Sequence, residues 1–197
     1  MKKHIENFYK HIQDSCRDFD KKNFDLEEIN KIVIAGMGGS AIAGLILKDL
    51  FPELEITVER NYFPNTPIDE STLVIMCSYS GNTEETLSYY DYASRLTDHA
   101  IVLTTGGKLL KKAKSDKIKF QLLPKGYPPR SALGFSLAIL ISIFDKEGIE
   151  NIDFDCLKKF AEESSSEKSE VYAQAKKIHK TIPIIVTEED LSSVGFR

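Results

Sequence analysis

The chain has few cysteines, and their number and spacing argue against both a disulfide-linked protein and a zinc-binding protein. Its 197 residues contain three, Cys16, Cys77 and Cys156, which are widely separated and form no Cys-x-x-Cys pair. An odd number at such spacing argues against a disulfide framework and against a zinc site. We therefore expect a protein of a reducing compartment, the cytoplasm.

The chain also lacks a strong positive charge and a long hydrophobic segment. Its 26 basic and 30 acidic residues give a net charge of −4, whereas a nucleic-acid surface is normally basic. The longest apolar stretch, at 133–144, contains Ser136 and Ser142 and is too short to span a bilayer. We therefore expect neither a nucleic-acid partner nor a membrane partner.

Apolar β-rich runs alternate with helical segments through the middle of the chain. These runs lie at 32–35, 54–59, 72–77, 100–104 and 118–123. Such alternation predicts βαβ units and a parallel sheet. We therefore predict an α/β fold of three layers, with a five-stranded parallel sheet flanked by helices, as in flavodoxin-like proteins. Ligands of such sheets bind at the carboxyl ends of the strands.

The pattern divides the chain into four segments. Residues 1–30 have helical spacing, 31–150 hold the α/β pattern, and 151–180 are helical and highly charged. The apolar residues Ile182-Pro183-Ile184-Ile185-Val186 then predict another buried strand. We interpret 181–197 as the first strand of an incomplete second domain; the alternative is a sixth strand of the first sheet.

The segment Gly36-Met37-Gly38-Gly39-Ser40-Ala41 connects the first predicted strand to a helix. Backbone N–H groups and the helix dipole at such a turn favour an anion. The segment alone leaves three interpretations open: a sugar-phosphate site, a dinucleotide site, or a tight turn without a ligand. The dinucleotide site needs an acidic residue at the end of the second strand, where Glu59 stands.

The segment Ser78-Tyr79-Ser80-Gly81-Asn82-Thr83-Glu84-Glu85-Thr86 follows the third predicted strand. Hydroxyl groups at Ser78, Ser80 and Thr83, together with backbone N–H groups and no nearby lysine, suit a small phosphorylated ligand. A helix cap would explain Thr83 but not the two serines. This segment therefore shifts the interpretation towards phosphate binding.

The segment Pro128-Pro129-Arg130-Ser131-Ala132-Leu133-Gly134 places one cation, Arg130, beside a predicted helix start. A cation there could stabilise an enediolate oxyanion, although an arginine before a helix is usually a surface residue. The four histidines are expected to be surface or structural residues, since none is near a predicted strand end beside the pocket. They are His4, His11, His99 and His179.

The segments 36–44, 78–87 and 128–134 resemble the sugar isomerase (SIS) domain, and more narrowly the bifunctional phosphoglucose/phosphomannose isomerases. The resemblance implies that Arg130 stabilises a cis-enediolate during proton transfer between C1 and C2. It implies a phosphate site at Ser78, Ser80 and Thr83. It also implies that Gly38, Gly39 and Ser40 line the pocket.

By this resemblance the reaction is the interconversion of glucose 6-phosphate or mannose 6-phosphate with fructose 6-phosphate. It implies no metal and no organic cofactor, and a homodimer is expected. Members of the family carry two SIS domains, and their catalytic glutamate and histidine lie beyond the first. We therefore expect this chain to hold the phosphate-binding half.

Two alternatives remain open at this point. One is a catalytically inactive or regulatory phosphosugar-binding module, which the missing glutamate and histidine favour. The other is a single-domain isomerase that builds its site across a dimer, with Glu84 or Glu85 as the base.

Overall fold

Five parallel strands form one sheet, as the sequence predicts. The computed structural model describes residues 2–18, 26, 28–145, 151–188 and 192–195. The strands are β1 (Lys31–Gly36), β2 (Ile56–Glu59), β3 (Thr72–Ser78), β4 (Ala100–Thr104) and β5 (Lys119–Leu122). Their order in the sheet is β2-β1-β3-β4-β5.

Helices cover both faces of the sheet, which confirms the predicted three-layer α/β fold. The helices of the described residues are α1 (Lys2–Glu6), α2 (Phe8–Asp18), α3 (Gly39–Leu50), α4 (Glu84–Ala93), α5 (Gly107–Ser115), α6 (Leu133–Phe144), α7 (Phe154–Ser164), α8 (Glu170–Ile178) and α9 (Ser192–Gly195). The sheet lies between α3 and α6 on one face and α4 and α5 on the other. A short 3₁₀ helix, Pro129–Ser131, leads into α6. Within the described ranges, no helix is both long enough and apolar enough to cross a membrane.

Alternate residues of the central strands pack against different layers. In β1, Ile32 and Ile34 join the core beneath α3 and α6, whereas Val33 and Ala35 join the core beneath α4 and α5. Burial on both faces explains why the sequence of β1 is an unbroken apolar run.

The order of the strands creates a crevice at the carboxyl edge of the sheet. The chain leaves β1 through α3 towards β2 on one side, and it leaves the adjacent β3 through α4 towards β4 on the other. The connections therefore diverge between β1 and β3, where Gly36 pairs with Cys77. Ligands of open α/β sheets bind at such a switch point.

The residues predicted as a strand, Ile182–Val186, pair with no strand of this sheet, so the alternative of a sixth strand in it is wrong. These residues form no strand, and Ile182 and Ile184 are 94% and 89% exposed. An apolar run forms a strand only where a neighbouring backbone pairs with it. The assignment of 181–197 to a second domain stays a prediction, and residues 189–191 and 196–197 lie outside the described residues, as does the boundary at 150.

Candidate anion-binding site

The loop after β3 is organised around two hydroxyl groups. Ser78 is buried, and its Oγ accepts a hydrogen bond from the N–H of Gly81 at 3.0 Å. The same Oγ lies 2.9 Å from Oγ1 of Thr83. One hydroxyl proton lies between these two oxygens, so the other is available to a ligand. Because Thr83 is the more exposed of the pair, its hydroxyl is the one within reach of a ligand.

Thr83 occupies the N-cap position of α4, but its side chain does not cap the helix. Its backbone is extended, and its side chain makes no capping hydrogen bond. The explanation of Thr83 as a helix cap is therefore wrong. The N–H groups in the first turn of α4 are not used by this side chain, so they and the helix dipole can face an anion.

Ser80 lies exposed at the tip of the same loop. Its Oγ accepts a hydrogen bond from the N–H of Asn82 at 3.2 Å, which leaves the Ser80 hydroxyl proton for a ligand. The Asn82 side chain fixes the loop from outside, since its Oδ1 accepts from the N–H of Lys108 at 3.1 Å. The donors of this loop are therefore held in place before any anion arrives.

Two glycines allow the loops after β3 and β4 to touch. Gly81 has a φ of +68°, and a Cβ there would lie 1.8 Å from the carbonyl oxygen of Gly106. Gly107 has a φ of +70°, and a Cβ there would lie 2.5 Å from the carbonyl oxygen of Ser80. Only glycine fits both the backbone angles and the space at these positions.

The loop after β1 lies beside the loop after β3. Gly36 is packed so closely that a Cβ would lie 2.8 Å from the carbonyl oxygen of Cys77. Gly38 has a φ of +54° and immediately precedes α3 as its N-cap residue, without a side-chain capping hydrogen bond. Ser40 lies almost buried in the first turn of α3, where its N–H donates to the carbonyl of Met37 at 3.1 Å.

The third segment reaches the same edge of the sheet. A Cβ on Gly39 would lie 3.4 Å from the carbonyl oxygen of Pro129, so the start of α3 borders the 3₁₀ helix that holds Arg130. Arg130 is exposed, and it forms no ion pair with any residue that the structure describes. The fold therefore brings all three sequence segments to one crevice and leaves a cation beside it.

Glu59 has another role than the one a dinucleotide site would need. The side chain is buried, and its Oε1 accepts hydrogen bonds from the N–H and Oγ1 of Thr66, both at 2.9 Å. The N–H of Asn65 donates to the same oxygen at 3.0 Å. Because this carboxylate holds the loop after β2, it is not available to a ribose, which weakens the dinucleotide interpretation.

Two residues near the site are missed by the sequence reasoning. The hydroxyl of Tyr79 donates to the carbonyl of Pro124 at 2.8 Å and accepts from the N–H of Tyr127 at 3.0 Å. His11 is buried against Tyr127, although the sequence places it far from the pocket. His11 and Ser15 are buried and Phe8 is partly buried, and their helical spacing indicates the face of α2 that packs on the core. Among the described residues, no group of three acidic, histidine or cysteine side chains could hold a metal ion.

The strand order and the loop geometry define an α/β protein with the fold of the SIS-domain phosphosugar isomerases. The tagatose-6-phosphate ketose/aldose isomerase from Escherichia coli covers 98% of this chain with 60% of its own, with a TM-score of 0.63 and 15% identity. At that identity the likeness shows the fold alone. No protein-family model matches the chain.

The chain is a homologue of the bifunctional phosphoglucose/phosphomannose isomerases, which confirms the resemblance of its motifs. The protein of that name from Caldicellulosiruptor bescii is 38% identical over 177 residues, covering 83% of this chain and 52% of the relative. A D-glucosamine-6-phosphate 4-epimerase from Sulfolobus acidocaldarius is 30% identical over 188 residues, covering 94% of this chain and 61% of the relative. The chain thus spans little more than half the length of these relatives.

Proposed function

We propose that this chain binds a hexose 6-phosphate in the crevice between β1 and β3. In this proposal it forms the phosphate-binding half of an isomerase that interconverts glucose 6-phosphate and mannose 6-phosphate with fructose 6-phosphate. The observation that carries the proposal is the loop after β3, with its outward hydroxyl at Thr83 and its internally fixed backbone. Homology to enzymes named for this reaction supports it.

The phosphate would sit over the start of α4. There the hydroxyls of Ser80 and Thr83 donate to its oxygens, and the helix dipole adds a favourable field. Ser78 supports the phosphate indirectly, because its buried hydroxyl orients that of Thr83. Gly38, Gly39 and Ser40 form the wall along the sugar chain, where the absence of side chains at both glycines leaves room for it.

Arg130 would act on the reacting end of the sugar. Isomerisation through a cis-enediolate places negative charge on the oxygens at C1 and C2, and a fixed guanidinium beside them lowers the barrier. The proton itself must be moved by a carboxylate within hydrogen-bond reach. We assign that base to a second SIS domain, whose first strand we place in residues 181–197. Separately, we propose that the protein is a homodimer of the cytoplasm.

The alternative in which Glu84 or Glu85 is the base has less support. The charge of Glu85 and, less strongly, that of Glu84 raise the pKa of Tyr62. Both glutamates stand in the first turn of α4, where they complement the helix dipole, and Glu84 is exposed. An inactive binding module is also less favoured, since the relatives that match carry the names of enzymes.

A coupled assay for glucose 6-phosphate formation from fructose 6-phosphate, run beside calorimetric titration, tests the proposal. We expect binding of fructose 6-phosphate that Arg95→Ala leaves unchanged, because Arg95 lines a cleft near the amino ends of β4 and β5. Turnover by the 197-residue chain would place the base within it and contradict the assignment to a second domain. Failure to bind any hexose phosphate would overturn the proposed function.

A further inference from the structure

His11 lies in an aromatic cluster that connects the N-terminal helix α2 to the segment carrying Arg130. Its ring stacks on that of Phe135, with centroids 4.3 Å apart and an interplanar angle of 26°. It also meets the ring of Tyr127 edge-on at 4.9 Å. Tyr127 precedes and Phe135 follows residues 128–134, which carry Arg130 and are called the Arg130 segment below. The His11 ring therefore lies against both ends of this segment.

The His11 ring also holds the backbone next to Arg130. It donates a hydrogen bond to the carbonyl of Ser131. Its Nδ1 is buried without a partner, so the donor is Nε2. Burial, with a contribution from the nearby His4, lowers the pKa of His11 and so favours the neutral ring, which has one N–H to donate.

The segment 128–134 contains a glycine at which α2 packs closely. A Cβ on Gly134 would lie 3.0 Å from Cβ of His11 and 3.1 Å from Cε2 of Phe8. The glycine at 134 therefore permits the close approach that places the His11 ring. The packing of α2 and the position of Arg130 are set by the same short stretch of chain.

The same cluster reaches the phosphate loop. Tyr127, which the His11 ring contacts, donates its N–H to the hydroxyl of Tyr79 at 3.0 Å. Tyr79 stands between Ser78 and Ser80, the two serines of the loop after β3. One contiguous set of contacts thus joins α2, the Arg130 segment and the loop proposed to hold the phosphate.

We propose that His11 is a positioning residue for Arg130, fixing the guanidinium relative to the phosphate loop through the Ser131 carbonyl and the Tyr127–Phe135 ring pair. The expected effect on ligand binding rests on the function proposed above. The effect on the backbone does not, so the two can be tested separately.

Hydrogen exchange of the ligand-free, full 197-residue chain tests the positioning without any ligand. We expect His11→Phe, which keeps an aromatic ring but has no N–H, to speed the exchange of the Tyr127, Ser131 and Ala132 amides. His11→Gln places an amide donor near the position of Nε2 and should restore slow exchange. Peptides over β4 serve as the control and should not change. Unchanged exchange in His11→Phe at residues 127–132 would overturn the proposal.

Binding of 5-phosphoarabinonate, whose carboxylate mimics the enediolate oxygens, tests the consequence for Arg130. We expect His11→Phe to weaken it about fivefold, the equivalent of one lost hydrogen bond, and His11→Gln to restore it. In an Arg130→Ala background His11→Phe should have no further effect. A full additional loss in that background would show a merely structural role and contradict the proposal. If the wild type binds no sugar phosphate while the exchange result holds, the proposed function fails and the positioning stands.

Discussion

Two parts of the same crevice are held in place by different means. The loop Ser78–Thr83 is fixed by its own hydroxyls and by contact with the next loop, where Gly81 approaches Gly106. The Arg130 segment has a single short 3₁₀ turn of its own and is held from outside by α2 and Tyr79. The backbone and donors of the proposed phosphate site are therefore fixed by neighbouring residues, whereas the proposed catalytic cation depends on residues distant in the sequence, in α2 and at Tyr79.

Gly81→Ala tests the self-supporting loop and has the largest expected effect. An added methyl group would collide with the carbonyl of Gly106 in a left-handed backbone, so we expect about 3 kcal/mol lower stability and loss of phosphosugar binding. Gly126→Ala is the matched control, because Gly126 has a φ of +91° but no heavy atom within 4 Å of the added Cβ. It should cost only about 1 kcal/mol. Equal losses in chemical denaturation of the two variants would show that the contact between loops is unimportant.

Arg130→Ala tests the dependent segment. Since Arg130 is exposed and pairs with no described residue, we expect unchanged stability and little change in fructose 6-phosphate affinity. The affinity for 5-phosphoarabinonate should fall by about 2 kcal/mol, because a charge-assisted hydrogen bond to the carboxylate is lost. Calorimetry of both ligands measures the difference, and equal losses for the two would remove the assigned role.

Ser80→Ala and Thr83→Ala test the donors of the loop one at a time. Each should weaken fructose 6-phosphate binding by about 1–2 kcal/mol, through one lost hydrogen bond to the phosphate. Ser115→Ala, at the exposed end of α5, should leave the affinity unchanged. Wild-type affinity in both loop variants would contradict the site.

The smallest expected effect is a pH dependence of stability through His11. Burial lowers the pKa of His11 below its ordinary value of 6.5, so the unfolded chain binds more protons at slightly acidic pH. The contribution of His11 to the free energy of unfolding is fully present above pH 6.5, and it decreases as the pH falls towards the pKa of His11 in the folded protein. Denaturation at pH 7.5 and pH 5.5 should therefore show a smaller decrease in the free energy of unfolding for His11→Gln than for the wild type. His4 and Asp14 are present in both proteins, so their titration does not contribute to the difference. An identical decrease in both proteins would contradict the assignment.

The loop at 78–83 could be predicted from the sequence, and so could the position of Arg130 beside a helix start, but the contacts that hold the Arg130 segment could not. Hydroxyl residues and glycines that follow an apolar run indicate the loop at 78–83. The loop is predictable because the residues that set its backbone angles and supply its donors are adjacent in the sequence. The apolar run at Ile182–Val186 looks like that at Ile32–Ala35, yet Ile34 is fully buried and Ile184 is 89% exposed. Burial of apolar side chains is favourable, but a strand forms only where a neighbouring strand pairs with its backbone. His11 was missed for the same reason, since its partners lie in another segment.

The most direct test of the central claim is a calorimetric titration of the 197-residue chain with fructose 6-phosphate and, in parallel, with fructose. Because we propose that the loop after β3 holds the phosphate, the account predicts saturable binding of fructose 6-phosphate at one site per chain and no measurable binding of fructose. Equal binding of the two sugars, or binding of neither, would contradict it.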